Sequence, residues 1–373
     1  MVMPQNIIVT NRIIIKMISD KKSVIIIPSL EPGDELIPYV SELIANGFNR
    51  IIVINDGSNS SYNEIFSTLA TKPECIMLTH AINLGKGRAL KNAFNCFLNM
   101  PDKDEFYGVI TADSDGQHSV EDVIKLNEEL ATGTEELILG VRDFDSDNVP
   151  PKSKFGNKIT RQVFKLFHNV KITDTQTGLR GIPSSLVAMY IDLPGERFEY
   201  ETNMLVQTAV KGVPFKEIPI KTIYLNENSG THFNPIKDSI AIYKLLFSTF
   251  IKFSLSSMSS FLVDIAIFQF LIMLMAGFDT SIRIGVSTLV ARIFSSLYNF
   301  YINKRVVFGS NANNKSTLVK YYTLVVCQMA LSALLVWTIN TYILLPETIA
   351  KIIVDTILFF LSYRIQKQLI FRS

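Results

Sequence analysis

The chain has 373 residues, with 36 Lys and Arg against 34 Asp and Glu for a formal net charge of +2, and a hydrophobic content of 48%. That length suggests two or three domains; the net charge says nothing for a nucleic-acid partner, since the basic residues form no long cluster, and none is expected. Three isolated cysteines without CxxC spacing, Cys75, Cys96 and Cys327, indicate neither a disulfide framework nor a zinc site and read as small core residues.

Residues 1–22 contain Ile13, Ile14 and Ile15, bracketed by Arg12, Lys16 and Asp20. The apolar run is too short for a signal peptide or a span, and it reads as an extra strand or docked extension. From there to about Asp238 strands alternate with helices. Val24–Ile27 is a β-branched run ending at Pro28, as a buried parallel strand would. Glu35–Asn46 has helical spacing, with Leu36, Val40, Leu43 and Ile44 on one face. Ile51–Ile54 is a second strand, stopped by Asn55-Asp56-Gly57-Ser58. A third covers about Cys75–Leu78 and leads to Asn83-Leu84-Gly85-Lys86-Gly87-Arg88, which opens a helix of about Ala89–Leu98. Tyr107–Thr111 runs into Ala112-Asp113-Ser114-Asp115, and Leu137–Gly140 is a fifth strand. This order predicts a Rossmann-like, doubly wound α/β domain over 23–237 with its ligand site at the carboxyl ends of the strands.

After Asp238 charges become sparse and apolar runs lengthen. Residues 238–250 suit an amphipathic helix lying on a membrane surface. Residues 251–373 form an all-α transmembrane domain of four spans, about Ile251–Ala276, Ser281–Ile302, Leu318–Leu344 and Thr348–Ile365. Leu297–Phe308 and Phe360–Phe371 match in pattern, with Ile302/Ile365, Lys304/Lys367 and Phe308/Phe371 in register, so the domain reads as two duplicated hairpins. Lys304, Arg305, Lys315, Lys320, Lys367 and Arg372 all fall on one side of four spans, which places both termini and the soluble domain in the cytoplasm. Asp264, Arg292 and Asp355 are costly to bury unpaired, and Asp264 with Arg292 is the predicted pair.

The chemistry centres on Asp113-Ser114-Asp115. Two carboxylates flanking one residue, directly after a buried strand, can hold a hard divalent ion that also grips phosphate oxygens. Gln117 is a plausible third oxygen ligand, and His118 reads as a structural hydrogen-bonder. Asp56 stands where acidic residues of nucleotide-binding sheets accept hydrogen bonds from base or ribose. Gly85-Lys86-Gly87 offers close backbone approach and a cation for phosphates, without P-loop spacing.

Pro28, Asp56-Gly57-Ser58, Asn83-Leu84-Gly85-Lys86-Gly87 and Asp113-Ser114-Asp115-Gly116-Gln117-His118, in this order and spacing, resemble the family 2 glycosyltransferases of GT-A fold. The likeness is to the branch of dolichyl-phosphate-mannose synthases and polyprenyl-phosphate glucosyltransferases, and it covers about Ser23–Ser239. Asp174-Thr175-Gln176-Thr177-Gly178-Leu179-Arg180 and Arg197-Phe198-Glu199-Tyr200-Glu201-Thr202 extend it. The tail, with Asn299-Phe300-Tyr301-Ile302-Asn303-Lys304 and its repeat, resembles the GtrA-like membrane family, which is associated with polyprenyl-linked sugars in bacteria. The chain departs from many relatives at Ser29-Leu30 before Glu31, at Asn55 and at Asn234.

The resemblance implies a metal-dependent, inverting enzyme of the bacterial cytoplasmic membrane. It would move a hexose from a nucleotide sugar, a UDP-sugar such as UDP-glucose in preference to GDP-mannose, to polyprenyl (undecaprenyl) phosphate. Pro28, Glu31 and Asp56 would cradle base and ribose, with Lys86 and Asp113 at the diphosphate. Asp113, Asp115 and Gln117 would bind Mg2+ or Mn2+, and Arg142, Arg161 and Arg180 the acceptor phosphate. Asp174, with Asp115, would be catalytic, either as a carboxylate base or as a ligand of a sugar hydroxyl. Because a phosphate monoester has its second pKa near ~6, the acceptor is largely a ready nucleophile at neutral pH, and no general base is strictly needed. Membrane lipid and further copies of the chain are the remaining expected partners. A solvated helix start is the lesser reading of Glu199 and Glu201, and Lys158 and Arg161 read equally as contacts to anionic headgroups. A processive synthase is disfavoured because no QxxRW motif is present; a lipid-sugar translocator or scaffold is the alternative of another class.

Overall fold

The computed structural model describes residues 23–143, 151–168, 170–221 and 237–371. The predicted extension 1–22, Asn234 and Arg372 lie outside the described residues. Between Leu246 and Phe247 the chain divides into two compact units.

The first unit is built on one seven-stranded sheet. Its strands are β1 (Val24–Ser29), β2 (Ile51–Asn55), β3 (Cys75–Thr79), β4 (Gly108–Thr111), β5 (Leu137–Val141), β6 (Arg180–Pro183) and β7 (Phe215–Pro219), in the order β3-β2-β1-β4-β6-β5-β7. Every residue of β1, β2, β4 and β5 is buried. Strands covered on both faces need unbroken β-branched runs rather than alternation, and VIIIPS and IIVIN supply them. Among the described residues seven α-helices connect the strands: α1 (Leu36–Ala45), α2 (Asn63–Ala70), α3 (Lys86–Leu98), α4 (Val120–Ala131), α5 (Pro151–Val163), α6 (Ser184–Ile191) and α7 (Glu199–Lys211). Ile25, Val40, Leu43, Val53, Ile110 and Leu126 anchor the main apolar core between sheet and helices.

The five predicted strands are present, but the sheet is mixed. β6 runs antiparallel to both its neighbours, β4 and β5. This inversion decides where the site lies. In parallel register Ser29, Asn55 and Thr79 end β1, β2 and β3 at one edge. Thr111 at the end of β4 pairs with Arg180 at the start of β6. The segment leading into β6, Asp174 to Leu179, therefore arrives at the same edge as the segment leaving β4. A parallel β6 would have carried it to the opposite edge.

The second unit contains the α-helices α9 (Thr280–Ile302), α10 (Asn314–Thr338) and α11 (Glu347–Ile365), preceded by α8 (Lys237–Leu274), which starts in the first unit. Residues 238–250, expected as a separate interfacial helix, are instead the start of the unbroken 38-residue α8. No Pro, Gly or capping motif interrupts that stretch, so nothing in it ends a helix. Ile240–Leu274 and Asn314–Ile343 are long and apolar enough to cross a membrane. The helices α9 and α11 have 23 and 19 residues; α9 carries Arg283 and Arg292, and α11 carries Glu347, Lys351, Asp355 and Arg364. Apolar side chains such as Leu262, Phe270, Val326 and Met329 point outward, while Ser260, Ser287, Ser295, Asn303 and Gln366 are buried. Small polar groups inside and large apolar groups outside is the arrangement expected of helices packed in lipid.

The two segments of the sequence repeat lie against each other. Each closes on a π-helical turn, Asn303–Val307 and Gln366–Ile370. The equivalent residues touch each other: Asn303 Nδ2 donates to Gln366 Oε1 at 3.0 Å, and the rings of Phe308 and Phe371 stack at 5.4 Å. The predicted pair also forms, with Arg292 Nε 3.7 Å from Asp264 Oδ1 and Ser295 donating to the same oxygen at 2.9 Å. Asp355 pairs with Lys351 at 2.8 Å and accepts from Ser332.

Candidate active site

The loops at the carboxyl edge of the first unit's sheet converge on Asp113. Its Oδ1 lies 2.7 Å from Lys86 Nζ, and its Oδ2 lies 3.3 Å from His118 Nε2. Lys86 also reaches Glu201 Oε2 at 2.9 Å and sits 5.9 Å over the Phe198 ring. Burial alone would raise the Asp113 carboxyl, but Lys86 and His118 override it and hold it well below the usual carboxylate range. For Lys86, burial works toward a lower value, yet Asp113 and Glu201 raise it above the ordinary lysine range. Asp115 is pushed up, first by burial and then by the charge of Asp113. The Gln117 backbone N–H donates to its Oδ1 at 3.1 Å.

Asp113 approaches the strand-leading segment very closely. A Cβ at Gly178 would stand 2.4 Å from Asp113 Oδ2, and Thr111 Oγ1 ties the same segment down by donating to the Gly178 carbonyl at 2.7 Å. Gly178→Ala must therefore displace the Asp113 carboxylate. Misplacement of a reacting group by about 1 Å costs on the order of 10²-fold in rate, and a loss of that size with an intact fold is expected when turnover and circular dichroism of the variant are measured. Retention of full turnover would show that Asp113 need not sit where it does.

Asp56 organises the glycine loop. Its Oδ1 accepts from the Leu84 N–H at 2.9 Å and contacts His80 Nδ1 at 2.7 Å, while Oδ2 accepts from the Gly85 N–H at 2.8 Å. Gly85 has φ +100°, which favours glycine, and a Cβ there would be 2.4 Å from the Glu196 carbonyl. The loop is thus pressed between β2 and the segment before α7. Pro28 is buried in β1 and Glu31 is exposed, with its backbone N–H donating to Ser58 Oγ at 2.9 Å. The two lie at the same edge as Asp56, since Ser29 pairs with Asn55.

The predicted phosphate-binding arginines have three different surroundings. Arg142 binds Asp174 with both ends of its fork, Nε to Oδ2 at 2.7 Å and Nη2 to Oδ1 at 3.2 Å. Asp174 is fully buried, and its Oδ1 also accepts from the Gln176 N–H. Its carboxylate is spent inside the protein and orients Arg142 rather than facing the cleft. Arg180 is 1% exposed, donating from Nε to the Thr177 carbonyl and from Nη1 to the Glu201 carbonyl. As placed it locks β6 to α7 and is closed to an outside phosphate. Arg161 is half-buried on α5.

Sequence reasoning missed Glu201 as a member of this group. It is buried beside Lys86, and its Oε1 has no hydrogen-bond partner. The Arg197–Thr202 motif was the available signal, but an acidic residue in a first helical turn equally suits the helix dipole in water. Lys91 and Arg88 on α3 clamp Glu196 and so bring Glu201 inward. Tyr39 was missed too; it is buried in α1, its hydroxyl is unpartnered, and burial followed by the charge of Asp113 keeps it protonated.

The donor set fits a hard divalent cation. Asp113 is offset by Lys86 and His118, whereas Asp115 is pushed up by burial and by the charge of Asp113, so an added cation would favour its charged form. Among the described residues no group of three or more His, Cys, Asp or Glu is arranged to hold a metal ion by itself. Mg2+-type ions commonly take one or two carboxylates and complete their shell from phosphates and water.

Comparison with known families divides the chain as its structure does. Residues 24–187 match the family described as Glycosyl transferase family 2, and residues 252–371 match the GtrA/DPMS transmembrane domain. An uncharacterized protein of Methanocaldococcus jannaschii is 28% identical over 60% of this chain and 90% of its own length. The UDP-N-acetylglucosamine–dolichyl-phosphate N-acetylglucosaminyltransferase of Methanococcus voltae is 25% identical over 61% of this chain and 96% of its own. The glycosyltransferase AglJ of Haloferax volcanii is 24% identical over 60% and 70%.

Proposed function

We infer the activity of this chain from its membership of the family 2 glycosyltransferases of GT-A fold, fused here to a GtrA-like transmembrane domain. It transfers a sugar from a nucleotide sugar to a polyprenyl phosphate of the dolichyl or undecaprenyl class at the membrane. The observation that carries this reading is the Asp113–Asp115 pair at the carboxyl edge of the sheet, with Lys86 2.7 Å from Asp113. The Methanococcus voltae relative supports a uridine nucleotide and a lipid phosphate. Its N-acetylhexosamine joins glucose among the candidate sugars.

A Mg2+ or Mn2+ ion held by Asp113 and Asp115, with Gln117 as a further oxygen ligand, would neutralise the charge growing on the departing diphosphate. Pro28, Glu31 and Asp56 form the edge where base and ribose would lie, with Asp56 acting chiefly through the loop it holds. Lys86 is the cation nearest the carboxylate pair, kept charged by Asp113 and Glu201. Arg142 is the arginine best placed to meet the acceptor phosphate, since Asp174 fixes its fork; Arg161 is a second. An acceptor phosphate oxygen attacks the anomeric carbon and forms the new C–O bond. The bond from that carbon to the diphosphate breaks, and the nucleoside diphosphate leaves with the electron pair. One in-line displacement inverts the anomeric centre, and the lipid phosphate needs no base to deprotonate it. The excess of Lys and Arg on one side of the four predicted spans supports a cytoplasmic catalytic domain.

The test is transfer of radiolabelled sugar by the purified full chain in detergent. A panel of UDP- and GDP-linked hexoses and N-acetylhexosamines would be offered with undecaprenyl or dolichyl phosphate and Mg2+ or Mn2+. Labelled lipid from one donor, abolished by chelator, is the expected outcome. Folded protein that labels neither lipid from any donor would overturn the reading in favour of a translocator or scaffold.

A further inference from the structure

His80 is a buried ionisable residue that the transfer reaction itself does not use. It stands directly after β3, and its backbone N–H donates to the Asn55 carbonyl at 2.9 Å, so the sheet fixes its main chain. Only 8% of the residue is exposed. Its imidazole bridges two other elements. Nδ1 lies 2.7 Å from Asp56 Oδ1, just after β2, and Nε2 lies 2.8 Å from Asn92 Nδ2, on the second turn of α3.

The chemistry of the partners assigns the proton. A carboxylate oxygen accepts and does not donate, so Nδ1 carries the imidazole proton and gives it to Asp56. Nε2 then presents a lone pair, and the Asn92 amide N–H facing it is the donor that fills it. A single neutral tautomer satisfies both sides. Asp56 is itself 3% exposed, and buried polar groups are costly to leave without partners. A rigid ring with a donor on one side and an acceptor on the other is what this bridge needs, and imidazole supplies it.

The orientation of that carboxylate has a consequence. Asp56 Oδ1 is shared between His80 and the Leu84 N–H, while Oδ2 takes the N–H of Gly85, the residue before Lys86. Turning the carboxylate would release both amides. The loop between β3 and α3 is thus tied at its base by His80 and, through Asn92, to the helix it feeds.

We propose that His80 is a positioning residue for the donor diphosphate: held in one tautomer by Asn92, it locks the Asp56 carboxylate, which sets the glycine loop and the start of α3 at Lys86. The proposal rests on reading the chain as a nucleotide-sugar enzyme.

Two near-isosteric variants test it. In His80→Asn the amide nitrogen takes the place of Nδ1 and can still donate to Asp56. In His80→Gln the amide takes the place of Nε2 and reaches Asn92 but not Asp56. Hydrogen–deuterium exchange of the Leu84 and Gly85 amides is followed on the full chain in detergent, and binding of UDP and of GDP, each with Mg2+, is measured by calorimetry. His80→Gln should speed exchange and weaken diphosphate binding, each on the order of tenfold or more, as loss of a buried hydrogen bond to a charged group does. His80→Asn should change both far less. Equal losses in the two variants overturn the proposal, because packing alone would then account for them; so does unchanged exchange in His80→Gln. Wild-type protein that binds neither nucleotide would refute the nucleotide-sugar reading, and exchange alone would then carry or sink the role of His80 in holding the loop. Should His80→Gln fail to fold, the imidazole nitrogen resonances of wild-type His80 decide: a protonated Nδ1 with a bare Nε2 supports the bridge, and a proton on Nε2 overturns it.

Discussion

Asp115→Asn is expected to lower sugar transfer by about 10³-fold or more while leaving the fold intact. An ion that stabilises a departing diphosphate contributes several kcal/mol to the transition state, and each ~1.4 kcal/mol is a factor of ten in rate. The amide removes one of the two proposed anionic ligands but keeps an oxygen that can accept from the Gln117 N–H. Stability should move the other way. Asp115 is raised by burial and by the neighbouring Asp113, so neutralising it relieves repulsion in the metal-free protein, and the thermal midpoint should hold or rise slightly. Added Mg2+ or Mn2+ stabilises a protein that binds it in the folded state, and the variant should lose that shift. A variant that keeps both turnover and the metal-induced shift would remove Asp115 from the site.

Asp174→Asn is expected to act first on stability, by about 2–3 kcal/mol. Removing one partner of a buried pair leaves the other charge uncompensated, at ~3–5 kcal/mol when both are fully buried. Asp174 is fully buried but Arg142 retains some solvent contact, which brings the cost to the bottom of that range or just below it. Turnover should fall as well, because Arg142 loses the bidentate contact that aims it. The two roles separate cleanly by measurement. If Asp174 served only as a catalytic base, the variant would lose turnover with an unchanged thermal midpoint and an unchanged KM for the lipid acceptor. If it holds Arg142, the midpoint drops and KM for the acceptor rises.

Much of the fold was legible because its causes are local. The runs VIIIPS and IIVIN are strands buried on both faces, and no other element accommodates them so readily. Asp113-Ser114-Asp115 follows a strand end, where doubly wound sheets collect their ligands. The outward apolar residues of the second unit follow from segment length and hydropathy. The pair Asp264–Arg292 was predictable because unpaired charge is so costly in lipid. Strands β6 and β7 escaped notice: RGIP and FKEIP are short, polar and end in proline. The unbroken α8 was misjudged because amphipathic spacing at 238–250 said nothing about where the helix would stop.

The site was legible in its residue types and not in its pairings. The acidic pair, the glycine loop with Lys86, and the Asp174 and Glu201 motifs all stand in the chain as recognisable patterns. The antiparallel insertion of β6 decided that Gly178 would press against Asp113, that Asp174 would turn inward to Arg142, and that Arg180 would be consumed by main-chain carbonyls. Sequence determined which side chains could carry charge and which segments would be buried, because those depend on composition and periodicity. Tertiary structure alone decided which charges neutralise one another, because that depends on ångström-scale distances between segments far apart in the chain.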